Sequence, residues 1–145
     1  MTYTIREATS QDTKQISSFV SERTGKAISP LHIENRLHFI RENPDESLYV
    51  YEEKNQILGT LGFRIRHGAD MILKFSEISV ISVDETMSRQ AAADKLKSYA
   101  EQLTSKHACS GMWWITGSEK NDESRAAKEP LSFHETGYRF VKRFL

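Results

Sequence analysis

The stretch from Glu77 to Gln102 constrains the fold most, because its hydrophobic period changes in the middle. The first half, EISVISV, alternates between residue types as a β-strand does. The second half repeats apolar residues at intervals of three and four, which predicts an amphipathic helix from about Arg89 to Lys106. A strand that leads directly into a helix at the middle of a chain is typical of an α/β protein.

The same spacing predicts which side chains of this helix contact a sheet. Its apolar face carries Ala92, Leu96, Tyr99, Ala100 and Leu103, of which the last four are expected to be buried. The charged side chains expected to be exposed are Lys95, Lys97 and Glu101.

Segments before this stretch predict a strand, two helices and a hairpin. TYTIRE alternates as a short strand, and Ser10 is placed to cap a helix after it. Ser29 and Pro30 begin a second helix, which Asn43-Pro44 ends. The run SLYVYEEKNQILGTLGFRIRH has two β-rich halves around EEKNQ and predicts a hairpin. A further strand is predicted from about Ile72 to Val83.

Three segments after the central helix complete the predicted fold. GMWWI is apolar on both faces and predicts a buried central strand. Pro130 and Gly137 are placed to begin and end a short helix, and YRFVKRFL predicts a last strand. We therefore expect a single α/β domain over residues 1–145, with a twisted mixed sheet of about six strands flanked by helices on both faces.

Composition and charge narrow the function classes. Lys and Arg together number 20, as do Asp and Glu, so no net charge favours binding to nucleic acid or to an anionic membrane. With Cys109 as its one cysteine, the chain forms no intrachain disulfide, which suggests a reducing compartment. Without an apolar leader or a long apolar run, we expect a cytoplasmic protein. The histidines show no metal-ligand spacing, so no metal is expected.

In order and spacing, five segments resemble the GNAT superfamily of acetyl-CoA-dependent N-acetyltransferases. These segments are YTIREATSQD, LYVYEEKNQILGTLGF, SEISVISVDETMSRQAAADKL, HACSGMWWITGS and SFHETGYRFVK. The resemblance covers nearly the whole chain. It implies a GNAT-like sheet, acetyl-CoA as co-substrate, and transfer of an acetyl group to a primary amine of a small molecule or protein.

The resemblance places the cofactor at the strand–helix join. The family's loop reads roughly Q/R-x-x-G-x-G/A, and its glycine positions fall on Ala91 and Ala93. Alanine keeps the backbone N–H groups that a helix N-terminus offers to a phosphate, but it lacks the conformational freedom of glycine. The implied cofactor-binding residues are Ile81, Ser82, Val83, Ser88, Arg89, Gln90, Ala91, Ala92 and Ala93. The alternative is that AAADKL is only a good helix start and the site is lost.

The resemblance also suggests catalytic residues. Glu77 matches the position of the glutamate base in some members, such as histone acetyltransferases; alternatively, it is solvated or pairs with Arg64 or Arg66. The family's tyrosine acid is replaced by Phe133, and the adjacent His134 is the candidate proton donor. Tyr138 is a weaker candidate, and a structural role for His134 stays open.

Two other functions compete with catalysis. The absent glycines and tyrosine favour a catalytically silent GNAT-like domain that binds a ligand or a protein. A homodimer formed through a strand edge near the C-terminus is a further alternative. The region from Leu31 to Asn43, where the family forms much of its acceptor pocket, carries mixed charges and selects no acceptor.

Overall fold

The structure is a computed structural model that describes residues 2–68, 73–83, 91–115, 134–136 and 139–143. The helices are α1 (Thr13–Thr24), α2 (Pro30–Arg41) and α3 (Ala92–Lys106), and a 3₁₀ turn at Ser10–Asp12 precedes α1. The strands are β1 (Thr4–Glu7), β2 (Glu46–Glu53), β3 (Gln56–His67), β4 (Lys74–Ser82), β5 (Gly111–Ile115), β6 (His134–Thr136) and β7 (Arg139–Arg143).

The strands form one mixed sheet in the order β1-β2-β3-β4-β5-β7-β6. Strands β4 and β5 are parallel, and the other neighbours are antiparallel. This confirms the predicted α/β fold with a mixed sheet and helices on both faces. The sheet has seven strands rather than about six, because His134–Thr136 pairs with β7 as a strand. The short helix predicted between Pro130 and Gly137 is therefore wrong at these residues.

Helix α3 covers one face of the sheet and buries the predicted apolar side. Leu96 and Ala100 are fully buried, Leu103 is buried, and Tyr99 packs at the edge of the same cluster. The close approach requires Gly59 in β3, where an added Cβ would lie 2.7 Å from Leu96 Cδ1. The helix begins at Ala92, because Ala91 has extended backbone angles.

The predicted exposure of Lys97 is wrong. Its residue is 2% exposed, and its ammonium lies 3.8 Å from the centroid of the Trp114 ring on β5. A cation over an indole face is an attractive contact, and it replaces part of the hydration that burial removes. Lys95 and Glu101 are half-buried rather than fully exposed.

Helices α1 and α2 cover the other face. Their apolar residues Ile16, Phe19, Ile33 and Leu37 pack with Val50 and Ile57 of the sheet. The predicted start of α2 is confirmed, since Ser29 accepts a hydrogen bond from the N–H of His32 and Pro30 opens the helix. Ser10 does not cap α1 as predicted; the residue before α1 is Asp12.

Cys109 lies beside the core at the link between α3 and β5. It is buried, and burial raises the pKa of its thiol above the usual range. Burial and a raised pKa both make its thiol a poor nucleophile. In the described parts of the chain, no helix has the length and apolar character needed to cross a membrane.

Candidate active site

Strand β4 is paired along its whole length on one side and along less than half on the other. Its ladder with β3 runs from Lys74↔His67 to Ser82↔Gly59. Its described ladder with β5 runs only from Phe75↔Gly111 to Ile78↔Trp114. Beyond Ile78, β5 has one further described residue, Ile115, and β7 pairs with the other side of β5 from Gly111 to Ile115. In the described residues, the ladder between the two parallel strands therefore ends at Ile78, before the end of β4 that leads towards α3.

The register shows which backbone groups of β4 face this gap. The C=O of Lys74 accepts from Ser110, which precedes β5, whereas the N–H of Val83 donates to Leu58 on β3. Backbone groups of successive strand residues alternate between the two neighbouring strands. Val80 therefore directs its N–H and C=O towards the gap, where the described residues include no strand partner for it. Ser82 is directed to the same side.

The predicted cofactor-binding residues of this strand fall on both sides of it. Ile81 and Val83 direct their backbone groups to β3, and the N–H of Val83 is used there. Only Ser82 of the three shares the orientation of Val80. Val80 was not among the residues predicted from the sequence. The side to which a strand residue directs its backbone groups can be stated only when both neighbouring strands are known.

The start of α3 lies after this end of β4 and is formed by alanines. Ala91 has φ −68° and ψ 151°, and no side chain caps the helix. Ala92 and Ala93 already have helical geometry, so none of the three needs the left-handed conformation that favours glycine. All three are buried. The replacement of glycine by alanine at 91 and 93 therefore costs no backbone strain. Ser88, Arg89 and Gln90 lie outside the described residues.

Glu77 lies on the face of β4 opposite α3, within a pair of arginines. Its carboxylate oxygens are 3.9 Å from Arg64 Nη1 and 3.8 Å from Arg66 Nε, and its side chain is 11% exposed. Arg64 is its register partner on β3, and Trp113 is its partner on β5. Glu77 thus pairs with Arg64 and Arg66, as in one of the two alternatives to a catalytic role that the sequence left open.

The ion pairs continue across the sheet to α2. Glu46 on β2 contacts Arg64 Nε at 3.0 Å and Arg36 Nη2 of α2 at 2.7 Å. We call these five residues, Arg36, Glu46, Arg64, Arg66 and Glu77, the arginine–glutamate row. The row fastens α2 to the sheet and ends at Glu77. The sequence contained each charge, but their alignment depends on the register of three strands.

The residues next to Glu77 on this face have small side chains. The next row of the sheet pairs Ser79 with Gly62, and Ser79 is exposed. A Cβ added at Gly62 would have no neighbour closer than 3.8 Å. These two small residues leave space above the sheet between Glu77 and the open part of β4.

His134 does not lie beside Glu77. It occupies strand β6, and the register runs from Glu77 to Trp113, then Val141, then His134. Three inter-strand spacings put the Cα atoms of Glu77 and His134 roughly 14 Å apart. Phe133 and Tyr138 lie outside the described residues.

A cleft of about 880 Å³ is formed where β1 ends, α2 ends and β2 begins, with Glu7, Ser10, Arg41 and Leu48 among its lining residues. Glu46 of the arginine–glutamate row also lines it. The cleft contacts neither Val80 nor the start of α3. In the described residues, no group of three or more His, Cys, Asp or Glu side chains is placed to hold a metal ion.

Solved structures share this fold at low sequence identity. Glucosamine-6-phosphate N-acetyltransferase from Arabidopsis thaliana is 17% identical with a TM-score of 0.74, covering 94% of this chain and 95% of its own. Ribosomal-protein-alanine N-acetyltransferase from Brucella melitensis is 16% identical with a TM-score of 0.75, covering 97% and 99%. A chain of the NatC complex bound to Gag peptide and CoA is 13% identical with a TM-score of 0.74, covering 100% of both.

These likenesses establish the fold. No curated protein matches the sequence at a significant level. The model of the acetyltransferase (GNAT) family matches residues 13–133, which is most of the sequence. The chain therefore belongs to the GNAT family of acetyltransferases.

Proposed function

We propose that this protein is an N-acetyltransferase that moves an acetyl group from acetyl-CoA to a primary amine of a small molecule or a protein. The observation that carries the proposal is that the described ladder between β4 and β5 ends at Ile78, whereas β4 continues to Ser82. A strand with backbone donors and acceptors on an open side is able to bind an extended, amide-containing arm as it would bind another strand. In the described residues, Val80 offers such groups.

The start of α3 suits the phosphates of the cofactor. The N–H groups from Gln90 to Ala93 are the groups we expect to face the pyrophosphate, because a helix N-terminus carries partial positive charge. The backbone at Ala91 fits this role without glycine. Asp94 in the first turn adds a negative charge and weakens the field. A helix N-terminus contributes on the order of 1 kcal/mol, so the gap beside Val80 must supply much of the affinity.

The two reactants approach from opposite faces of the sheet in this proposal. Helix α3 and its N-terminus lie on the face of Gly59 and Ser82, whereas Glu77 and Ser79 lie on the other face. The cofactor arm would pass through the gap from the α3 face. An amine above Ser79 would then lie between the thioester and Glu77.

The reaction forms a C–N bond, breaks the C–S bond and releases CoA. The acceptor must lose a proton before it attacks, and we assign its removal to Glu77, directly or through water. The N–H of Val80 is placed to stabilise negative charge on the carbonyl oxygen. His134 stays the predicted donor of a proton to the leaving thiolate; its Cα lies roughly 14 Å from that of Glu77, with β5 and β7 between them. The residues thus divide the proton removal and the proton return between two strands.

The comparisons support the reaction class without selecting the acceptor. Members of this family normally use acetyl-CoA, and one similar structure is described as bound to CoA. One similar enzyme is named for a sugar phosphate and another for a ribosomal protein. Both a small molecule and a protein are therefore kept as acceptors.

A catalytically silent GNAT-like domain is the second candidate, and one observation favours it. Glu77 is held between two guanidinium groups rather than left without a cation partner. A purely structural ion pair would look the same. The two candidates differ in whether acetyl-CoA binds and whether CoA is released.

Calorimetry with millimolar acetyl-CoA separates them. We expect measurable heat for the natural sequence and equal or tighter binding for Ala91→Gly, which removes a methyl and keeps the N–H. Ala91→Glu should abolish binding through bulk and like charge, and its melting curve verifies that the variant folds. If neither the natural sequence nor Ala91→Gly gives measurable heat, the hypothesis of a catalytically silent domain replaces the hypothesis of an enzyme.

A further inference from the structure

The arginine–glutamate row has an excess of positive charge. It contains three guanidinium groups and two carboxylates within ion-pair distance of one another. Glu46 is bonded to two of the arginines, whereas Glu77 contacts Arg64 and Arg66 only at 3.8–3.9 Å, which is longer than a hydrogen bond. The row therefore has more cationic donors than its own carboxylates use.

The excess charge faces outwards. The side chains of Glu46 and Glu77 are 7% and 11% exposed, whereas those of Arg64 and Arg66 are 37% and 51% exposed. In the described residues, the Arg66 guanidinium group forms one ion pair, with Glu77. A guanidinium group has five N–H donors in a planar fork that matches a carboxylate or a phosphate. Arg66 thus presents unused donors to solvent.

The location links this surface to the proposed reaction. Arg66 is two residues from Arg64 on β3, and both lie on the face that carries Glu77, Ser79 and Gly62. An acceptor above Ser79 would have Glu77 beside its amine and the two arginines on the side away from the gap. An anionic group on such an acceptor would meet the exposed guanidinium groups.

We infer that the natural acceptor is an amine that also carries an anionic group, a carboxylate or a phosphate, and that Arg66 and Arg64 bind this group. This inference rests on the proposed function. The arginines position the acceptor by a bidentate, charge-assisted contact, and Glu77 receives the proton from the amine. A carboxylate and a phosphate are both anions that a guanidinium group binds, and the matched acceptors below distinguish between them.

The test uses pairs of amines that differ in charge. One pair is 2-aminoethyl phosphate and ethanolamine, and the other is 3-aminopropanoate and 3-aminopropanamide. With acetyl-CoA present, we expect kcat/KM to be at least tenfold higher for the anionic member of one pair, mainly through a lower KM. In Arg66→Gln this ratio should fall towards one, with Arg66→Lys between the two.

Arg23→Gln is the control. Arg23 is exposed near the end of α1, outside the row and outside the region from Leu31 to Asn43. The variant should therefore keep the ratio of the natural sequence. Equal ratios near one for the natural sequence, or an equal loss in Arg23→Gln and Arg66→Gln, would overturn the inference while the transferase stands.

Direct binding separates this inference from the proposed function. Calorimetric titration of 2-aminoethyl phosphate into protein saturated with CoA avoids competition at the start of α3. Binding that is weakened at least tenfold by Arg66→Gln and unchanged by Arg23→Gln supports the anion site. If that result comes with no acetylation of any amine, the site stands and the transferase fails. Absence of both binding and acetylation overturns the inference.

Discussion

Strand β4 presents an apolar face to α3 and a charged face to α1 and α2. On the first face, Ile78 lies among Leu61, Leu96 and Met112, and the buried hydroxyls of Ser76 and Thr104 bond to each other at 2.7 Å. On the second face, Glu77 is held by arginines from β3. The first face is stabilised mainly by burial of apolar surface, and the second depends on charges that neighbouring strands bring into alignment.

The apolar face of β4 is suited to holding a helix, and the charged face is suited to binding a substrate. A packed apolar face fixes α3, and hence its N-terminus, against the end of β4. A charged face with small residues at Gly62 and Ser79 leaves room and polar groups for an acceptor. Mutations on the two faces should therefore affect different properties, and the predictions below test that division.

The largest expected effect is that of Glu77→Gln on turnover. If Glu77 is the base, the variant should lower kcat by about 10²-fold or more and leave acetyl-CoA affinity little changed. Steady-state rates and calorimetry measure the two quantities. Glu22→Gln, which changes an exposed carboxylate on α1, is the control and should keep the natural rate. An unchanged rate in Glu77→Gln at neutral pH removes Glu77 from the mechanism.

A smaller effect is expected on stability from the ion pairs next to α1. Arg6 bonds to Asp12 at 2.9 Å through two nitrogens, and this contact holds the pKa of the Asp12 carboxyl below its usual range. The carboxylate therefore contributes stability above its unfolded pKa, near 3.9, and loses it as pH falls through the lower folded value. Asp12→Asn should cost about 2 kcal/mol at pH 7.

Denaturant unfolding at several pH values checks this prediction. The difference between Asp12→Asn and the natural sequence should shrink as pH drops below about 4. Asp45→Asn is the control. In the described residues the Asp45 carboxylate pairs with His67 at an exposed position, so this variant should change stability little at any pH. A difference that stays constant down to pH 2 would show that charge on Asp12 is not what stabilises this region.

The apolar face was largely predictable from the sequence. The helical spacing identified Leu96, Ala100 and Leu103, and the hairpin at EEKNQ is confirmed, with positive φ at Lys54 and Asn55 in its turn. These features are local or depend on one period. The predicted exposure of Lys97 was wrong because its side chain packs against Trp114, a residue of another strand. The periodicity of one helix contains no information about such a partner.

The candidate site was predictable only in part. The position of Glu77 on β4 and the strand–helix join could be read from the sequence, whereas the roles of Glu77 and His134 stay predictions. The arginine–glutamate row required the register of β2, β3 and β4. Val80 required knowledge of which side of β4 is open. Both depend on pairing between segments that are distant in sequence, and residue patterns within one segment do not determine it.

The most direct test of the central claim removes one N–H from β4. Val80→Pro deletes the N–H that faces the gap and leaves the ladder to β3 intact, whereas Val80→Ala changes the side chain and keeps the N–H. Calorimetry with acetyl-CoA should show at least a tenfold weaker affinity for Val80→Pro than for Val80→Ala, the effect of losing one hydrogen bond of about 1.4 kcal/mol. A folded Val80→Pro variant that binds acetyl-CoA as tightly as Val80→Ala would contradict the assignment of this gap as the cofactor site.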